Sequence, residues 1–434
     1  MVKRWVFLCV LAVLLFPGLA SRADLAAYLA KPEPVYRWEK QGEQKMGEGT
    51  IYDLHLVSQT WQGIVWEHRL LLYVPDKPLY PHLCTLMNTG GNGGARDYAM
   101  LPVAAKQTGG PFAILFNIPN QPLYGGKTED ALIVYTWQKF LETGDESWPL
   151  HFPMAKSVLK AMDALQAFTR EAKLDSLDDF VVTGGSKRGW TAWLVGASRD
   201  PRVKGIAPMV IDTLNLAAQT PHQLAAFGKP SEQVADYTGV GMQDMLKTPA
   251  GQKLLKLEDP YSYRDILTLP KLILLGTNDR YWAQDALNLY WNGLKGPKWV
   301  MYTPNVGHNL GGDEDHLRVF ASLGAFARSI ASRASLPKPT WHYVKTASGA
   351  DLTVKSDLPL VAASLWQVHA DTQDFRDSRW TSEPISADPK GFTTHIPAPT
   401  QGYAAVYADL TYTVGDQTFH LTTQIEILPQ SKQP

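Results

Sequence analysis

A chain of 434 residues is longer than one hydrophobic core usually serves, and at roughly 150 residues per domain it divides into two or three. Apolar residues make up 45% and charged residues 19%, with 14 Trp and 18 Tyr, a composition that buries a large core and excludes a disordered chain. The formal net charge is −1 and no long Lys/Arg block occurs, so the electrostatic footprint of a nucleic-acid partner is missing.

The opening "MVKRWVFLCVLAVLLFPGLA" carries Lys3 and Arg4, an apolar run from Trp5 to Phe16, and small residues Gly18 and Ala20 before Ser21. Residues 1–20 therefore read as a signal peptide cut near Ser21 or after Ala23, the alternative being a retained membrane anchor. Export to a periplasm or beyond the cell is the expectation, with no stable membrane span after cleavage. Cys9 lies inside the segment removed, which leaves Cys84 alone and rules out an internal disulfide.

Residues 24–50 read as a leading loop with one short helix. "YDLHLVSQTW" and "VWEHRLLLYVP", separated by Gln62-Gly63, predict an antiparallel start to a sheet. "CTLMNTGGNGG" is an apolar strand opening into a glycine-rich turn, and "PFAILFNIPNQPL" supplies another strand. "FPMAKSVLKAMDALQAFTREA" has apolar residues at three- and four-residue steps, which predicts a helix with one buried face. "DFVVTGGS" then leads a short buried strand into the helical "KRGWTAWLVGA", and "VKGIAPMVID" is the next strand. Strands alternating with helices point to a mainly parallel sheet covered on both faces.

Residues 214–265 are helical or irregular and read as a cap inserted over the sheet's upper edge. "KLILLGTNDRYW" and "PKWVMYTPNVGHN" restore strand-to-loop signals, and "HLRVFASLGAFARSIAS" closes the region with an amphipathic helix. After a linker near 334–340 only short β-rich runs follow. The expected organisation is an α/β domain over 21–335 and an all-β, sandwich-like accessory domain over 340–434. That second domain carries no active-site signature; packing against its neighbour or binding another surface or polymer is its expected role.

The chemistry collects at strand ends. A serine hydroxyl attacks a carbonyl only with an imidazole to take its proton, a carboxylate to orient that imidazole, and donors for the oxyanion. Ser186 follows the apolar "FVVT", with Gly184 and Gly185 permitting a tight turn into a helix, as in a nucleophile elbow. The G-x-S-x-G spacing is not met, because Arg188 stands at the last glycine's place and Gly189 comes one position later. Asp279 follows "LILLGTN", with Asp285 and Asp265 as alternatives. His308 lies in a glycine-flanked loop after the last strand, with His316 as its competitor. The order Ser186, Asp279, His308 is that of an α/β-hydrolase.

Oxyanion donors are expected from the Lys187 amide and from one amide among Gly91, Asn92 and Gly93. Lys187 and Arg188 either favour an anionic substrate or are held in ion pairs. Trp148, Tyr281 and Trp282 are candidate stacking walls for a sugar or apolar group, with core packing the simpler role for each.

"LLLYVP", "MNTGGNGG", "VTGGSKRGWTAW", "LGTNDRYW" and "PNVGHNL" together resemble the PhoPQ-activated pathogenicity-related proteins, an α/β-hydrolase family, over most of the mature chain. The resemblance implies a serine-hydrolase-like core, with Ser186, Asp279 and His308 as nucleophile, acid and base, and an exported location, but no settled substrate. The G-x-S-x-x-G form also resembles the elbow of glucuronoyl esterases, in which an arginine directly follows the serine; Lys187 holds that place here. Hydrolysis of an acyl bond without metal or cofactor is expected, most simply in a small-molecule or glycan-linked ester. The alternatives are a peptide or amide substrate, or a binding and signalling protein with little turnover.

Overall fold

The computed structural model describes residues 25–431, so the segment read as a signal peptide lies outside the described residues. Nine strands form the main sheet: β1 (Arg37–Lys45), β2 (Gly49–Trp61), β3 (Ile64–Pro75), β4 (Leu83–Asn88), β5 (Phe112–Leu115), β6 (Asp179–Gly185), β7 (Val203–Met209), β8 (Lys271–Gly276) and β9 (Lys298–Thr303). Their spatial order is β1-β2-β3-β5-β4-β6-β7-β8-β9. β1, β2, β3 and β5 pair antiparallel, and every pair from β5 through β9 is parallel. This is the α/β-hydrolase fold.

Local chemistry explains both ends of the antiparallel part. The β2–β3 hairpin turns on Gln62 and Gly63, whose φ of 49° and 75° give the positive-φ pair that a two-residue hairpin needs. β1 is the edge, reads RWEKQGEQK and is mostly exposed, so its charges discourage a further strand from pairing. In the parallel part the strands are apolar on both faces, and alternate residues enter different cores. Phe180 and Val182 of β6 face one cluster, with Leu70, Leu72, Ile273 and Leu275 from other strands. Val181 faces the opposite cluster with Leu272 and Leu274. The helices Glu129–Thr143, His151–Glu171 and Lys187–Ala197 cover the first face; Ala95–Thr108 and Asp313–Ser332 pack together on the second.

Between β7 and β8 the chain forms helices Leu216–Phe227, Ala235–Thr238, Met242–Met245 and Pro249–Glu258, the helical insertion expected over 214–265. Beyond the main sheet, β10 (Thr340–Thr346), β11 (Gly349–Lys355) and β14 (Gly391–Pro397) make one antiparallel sheet. β12 (Ala362–Ala370), β13 (Thr381–Pro384), β15 (Tyr403–Val414), β16 (Gln417–Thr422) and β17 (Glu426–Pro429) make another. Apolar residues of β11 and β14 share a core with those of β12 and β15, giving a sandwich. That core does not stop at the sandwich: Phe419 and Leu421 pack in one cluster with Met301 of β9 and Phe326 of the last helix. Among the described residues no helix is long and apolar enough to cross a membrane.

Candidate active site

Ser186 sits between β6 and the helix Lys187–Ala197 with φ 56° and ψ −125°, a conformation that costs a non-glycine residue about 1–3 kcal/mol and persists only where its surroundings enforce it. Backbone bonds do so: Ser186 N–H donates to Met209 O at 2.9 Å, and Trp190 N–H donates to Ser186 O at 2.9 Å as the helix begins. Glycines supply the clearance. A methyl group on Gly184 would lie 2.5 Å from Asn88 Nδ2, and one on Gly189 would lie 2.8 Å from Met209 O and 2.9 Å from Gly184 O. The glycine three places after the serine thus lets the helix cross β7, which accounts for the departure from G-x-S-x-G.

Arg188, at the position left over, is buried and turned away. Its Nη2 lies 1.9 Å from where a Gly90 methyl group would stand, so it fills the space beneath the glycine loop. Its Nε donates to Ile118 O at 2.5 Å, and its two terminal nitrogens donate to Glu129 at 2.7 and 2.6 Å. Lys187 Nζ lies 3.1 Å from Asp130 and 3.3 Å from Glu129. Burial pushes the Glu129 carboxyl up, but the Arg188 hydrogen bonds and charge, helped by Lys187, outweigh it and hold the group at about 2. Two cations therefore meet two carboxylates, and no uncompensated positive charge remains for an anionic substrate.

Asp279 and His308 follow β8 and β9. His308 Nδ1 lies 2.7 Å from Asp279 Oδ2, while Asp279 Oδ1 accepts the Tyr281 N–H at 2.9 Å. The Tyr281 ring lies against the His308 ring with centroids 4.2 Å apart. His308 Nε2 is buried and has no hydrogen-bond partner, so the pair is formed but the bond from His308 to Ser186 is not. Such bonds are often long before substrate arrives. The competitors are engaged elsewhere: Asp285 bonds His222 at 2.6 Å, His316 Nε2 meets Asn309 O at 3.1 Å, and Asp265 is exposed.

Ser186 and Lys187 open onto a cavity with about 870 Å³ of empty space, partly continuous with solvent. Its walls are largely aromatic, with Trp137, Trp190, Tyr237, Tyr281 and Trp282, and its roof comes from the helical insertion, including Leu216 and Met242. Asp130 is its one carboxylate and accepts the Tyr237 hydroxyl at 3.0 Å. Arg188 and Trp148 do not line it; Trp148 packs 5.8 Å from Trp61 and 5.7 Å from Tyr124. Gly91, Asn92 and Gly93 follow β4, the strand beside β6, and so reach the same sheet edge, but they lie outside this lining. Gly91 O accepts the Asn117 N–H at 2.8 Å, and Arg69 Nη1 bonds Asn92 O at 3.5 Å and Gly93 O at 3.4 Å, which fixes the loop through its carbonyls. Among the described residues no group of three or more His, Cys, Asp or Glu could hold a metal ion.

Sequence reasoning did not find Glu129, Asp130 or Asp212. Acids at a helix start were a visible signal in "TEDALIVYTW", but nothing local joins them to Lys187 and Arg188. Asp212, after β7, is buried and accepts the Tyr290 hydroxyl at 2.7 Å; burial lifts its carboxyl to about 8, with the nearby Asp279 and Asp285 charges adding to the rise.

Several known proteins are similar. Acetyl xylan esterase 1 from Thermoanaerobacterium sp. superposes with a TM-score of 0.49 at 14% identity, over 72% of this chain and 92% of that one. A glucuronoyl esterase from Solibacter usitatus gives 0.40 at 13% identity, over 70% and 90%. In sequence, autocrine proliferation repressor protein A of Dictyostelium discoideum is 32% identical over 349 residues, 76% of this chain and 68% of that protein. The profile of the PhoPQ-activated pathogenicity-related proteins matches residues 25–376, a span that includes Ser186, the insertion and the loops of Asp279 and His308, and the chain belongs to that family.

Proposed function

We propose that this protein is an exported serine hydrolase that cleaves a carboxylic ester through an acyl-enzyme. The observation that carries the reading is the His308–Asp279 hydrogen bond of 2.7 Å at the same sheet edge as a serine held at φ 56°. His308 Nε2 takes the Ser186 proton as Oγ attacks the carbonyl, and Asp279 orients the imidazole and offsets its charge. The Lys187 amide and one amide of Gly91, Asn92 or Gly93 receive the oxyanion. His308 then returns the proton to the leaving alkoxide and activates water against the acyl-enzyme. The apolar, charge-compensated cavity favours a neutral substrate group with a bulky apolar or aromatic part. An ester is favoured over an amide because its leaving group is the easier to expel.

A second reading, action by binding with little turnover, draws on the missing His308–Ser186 hydrogen bond and on the name of the Dictyostelium relative, a proliferation repressor. Labelling of residues 21–434 with a fluorophosphonate separates the two. Hydrolase chemistry predicts covalent labelling that disappears in Ser186→Ala and falls about 1,000-fold or more in His308→Ala. Folded wild-type protein that stays unlabelled from pH 6 to pH 9 would favour the binding reading.

A further inference from the structure

The turn between β12 and β13 belongs to the C-terminal sandwich, yet it closes on the loops that carry Asp279 and His308. Asn278, directly before the acid, donates its side-chain Nδ2 to Ser378 O at 2.7 Å and Arg376 O at 3.2 Å, with Phe375 O at the outer limit of 3.5 Å. Asn305, in the histidine loop, forms a two-way bond with Trp380: its Nδ2 donates to Trp380 O at 3.0 Å, and Trp380 N–H donates to its Oδ1 at 2.7 Å. The two loops are also laced together, since Thr277 Oγ1 donates to Asn278 Oδ1 at 2.8 Å and accepts the Asn305 N–H at 2.8 Å. Phe375 and Trp380 are themselves fully buried, and Trp380 packs 5.3 Å from Tyr407 of β15, so the turn is a fixed support.

We propose that the Phe375–Trp380 turn is a positioning element of the active site, with Asn278 and Asn305 as the positioning residues through which the C-terminal sandwich aligns Asp279 with His308. No residue of the turn touches the reacting atoms in this scheme. Both asparagines are loop residues one to three positions from the acid or base, and the turn bonds both side chains from outside the main sheet. Loops free to shift by about 1 Å lose near-attack geometry, an effect worth about 100-fold in rate. The same turn reaches the cap: Arg376, held by Asp374 at 2.6 Å, contacts Glu232 at 3.0 Å, and its guanidinium lies 3.8 Å from the Phe227 ring centroid.

The rate consequence rests on the serine-hydrolase reading, so the test has two arms, both on residues 21–434. The first measures fluorophosphonate labelling in Asn278→Ala, Asn305→Ala and Asn305→Asp, with Asn288→Ala as control. Asn288 also ties the two parts together, bonding Ile425 O at 2.9 Å and Gln424 at 2.5 Å, but through the β16–β17 connection rather than the Phe375–Trp380 turn. The expected result is a limiting labelling rate lowered about 10- to 100-fold in the three loop variants, with the half-saturating probe concentration little changed and Asn288→Ala like wild type. The second arm follows the downfield proton resonance of the His308 Nδ1–H, expected to be lost or broadened in the loop variants and kept in Asn288→Ala. Thermal melting identifies which variants are folded, and any one folded loop variant suffices. A wild type that resists labelling defeats the hydrolase reading while the resonance still reports on the positioning. Folded loop variants with wild-type rate and resonance, or an equal loss in Asn288→Ala, would overturn the proposal.

Discussion

The two halves of the site are held by different means. The Ser186 side is built locally: a buried strand, a serine at positive φ, two glycines that clear the crossing, and a backbone bond to the neighbouring strand. The Asp279–His308 side is assembled from afar, by two loops whose asparagines are met by a turn 75 to 100 residues away. A local device fails through sterics and takes the fold with it. A device made of long-range hydrogen bonds can loosen while the protein stays folded. The proposed functional effects of each half should therefore separate cleanly.

The largest effect is expected from breaking the local half. Gly189→Val places its Cβ 2.8 Å from Met209 O and 2.9 Å from Gly184 O, backbone atoms that a flexible side chain cannot relieve. A loss of about 4 kcal/mol or more is expected, read as a large drop in the urea midpoint or as failure to accumulate soluble protein. A variant as stable as wild type would show that the crossing has slack that these distances deny.

Behind the other half lies Asp212, and its replacement should show as a pH effect. The folded carboxyl titrates near 8 against about 4 when unfolded, so between those values the folded state holds a proton that the unfolded state has released. Its contribution to stability is complete below about pH 4 and is lost as pH rises through about 8. Asp212→Asn abolishes that loss while keeping an oxygen to accept the Tyr290 hydroxyl. Wild-type stability should thus fall relative to the variant by up to about 3 kcal/mol between pH 5 and pH 8. Parallel stability curves for the two proteins would refute a protonated Asp212.

Glu129→Gln sharpens the comparison from the Ser186 side, because Glu129 meets the charge of Arg188, which fills the space beneath the glycine loop. Leaving two cations with one carboxylate should cost about 2 kcal/mol; the figure is discounted because the Glu129 side chain is 40% exposed. The carboxyl is depressed in the fold, so its contribution is full above about pH 4.5 and disappears as pH falls through about 2. Chemical denaturation at pH 7 and pH 3 should show the difference between wild type and variant shrinking at the lower pH.

The same division decides what could be read from sequence. Ser186 stood out because strand, glycines and helix adjoin in the chain, and β6 and β8 were visible as the continuous apolar runs "FVVT" and "LILL". Asp279 and His308 were legible as polar residues after buried strands, and the structure brings their side chains to 2.7 Å. Partner choice was not legible. Nothing near Lys187 or Arg188 announces Glu129 and Asp130, and nothing near Asn278 announces Ser378 O. The sandwich showed its β pattern, but a strand's period tells which face is apolar and not what covers it. Its core therefore merges with that of the main sheet where the texture of the sequence suggested a boundary.

The smallest effect belongs to the exposed rim of the long-range half. Arg280 follows Asp279 and reaches Glu232 and Asp377, each at 2.5 Å, which on paper resembles the asparagine contacts. Its side chain is 40% exposed and that of Asp377 is 86% exposed, so water and salt screen both pairs and side-chain entropy opposes them. Arg280→Ala should cost at most about 0.5 kcal/mol, fading further at high salt, and should leave the labelling rate within about twofold of wild type. The asparagines differ in kind: they are uncharged and bonded to backbone carbonyls, so salt should not touch their contribution. If Arg280→Ala matched Asn278→Ala in labelling, the acid loop would be held by charge, and the grip would weaken with ionic strength.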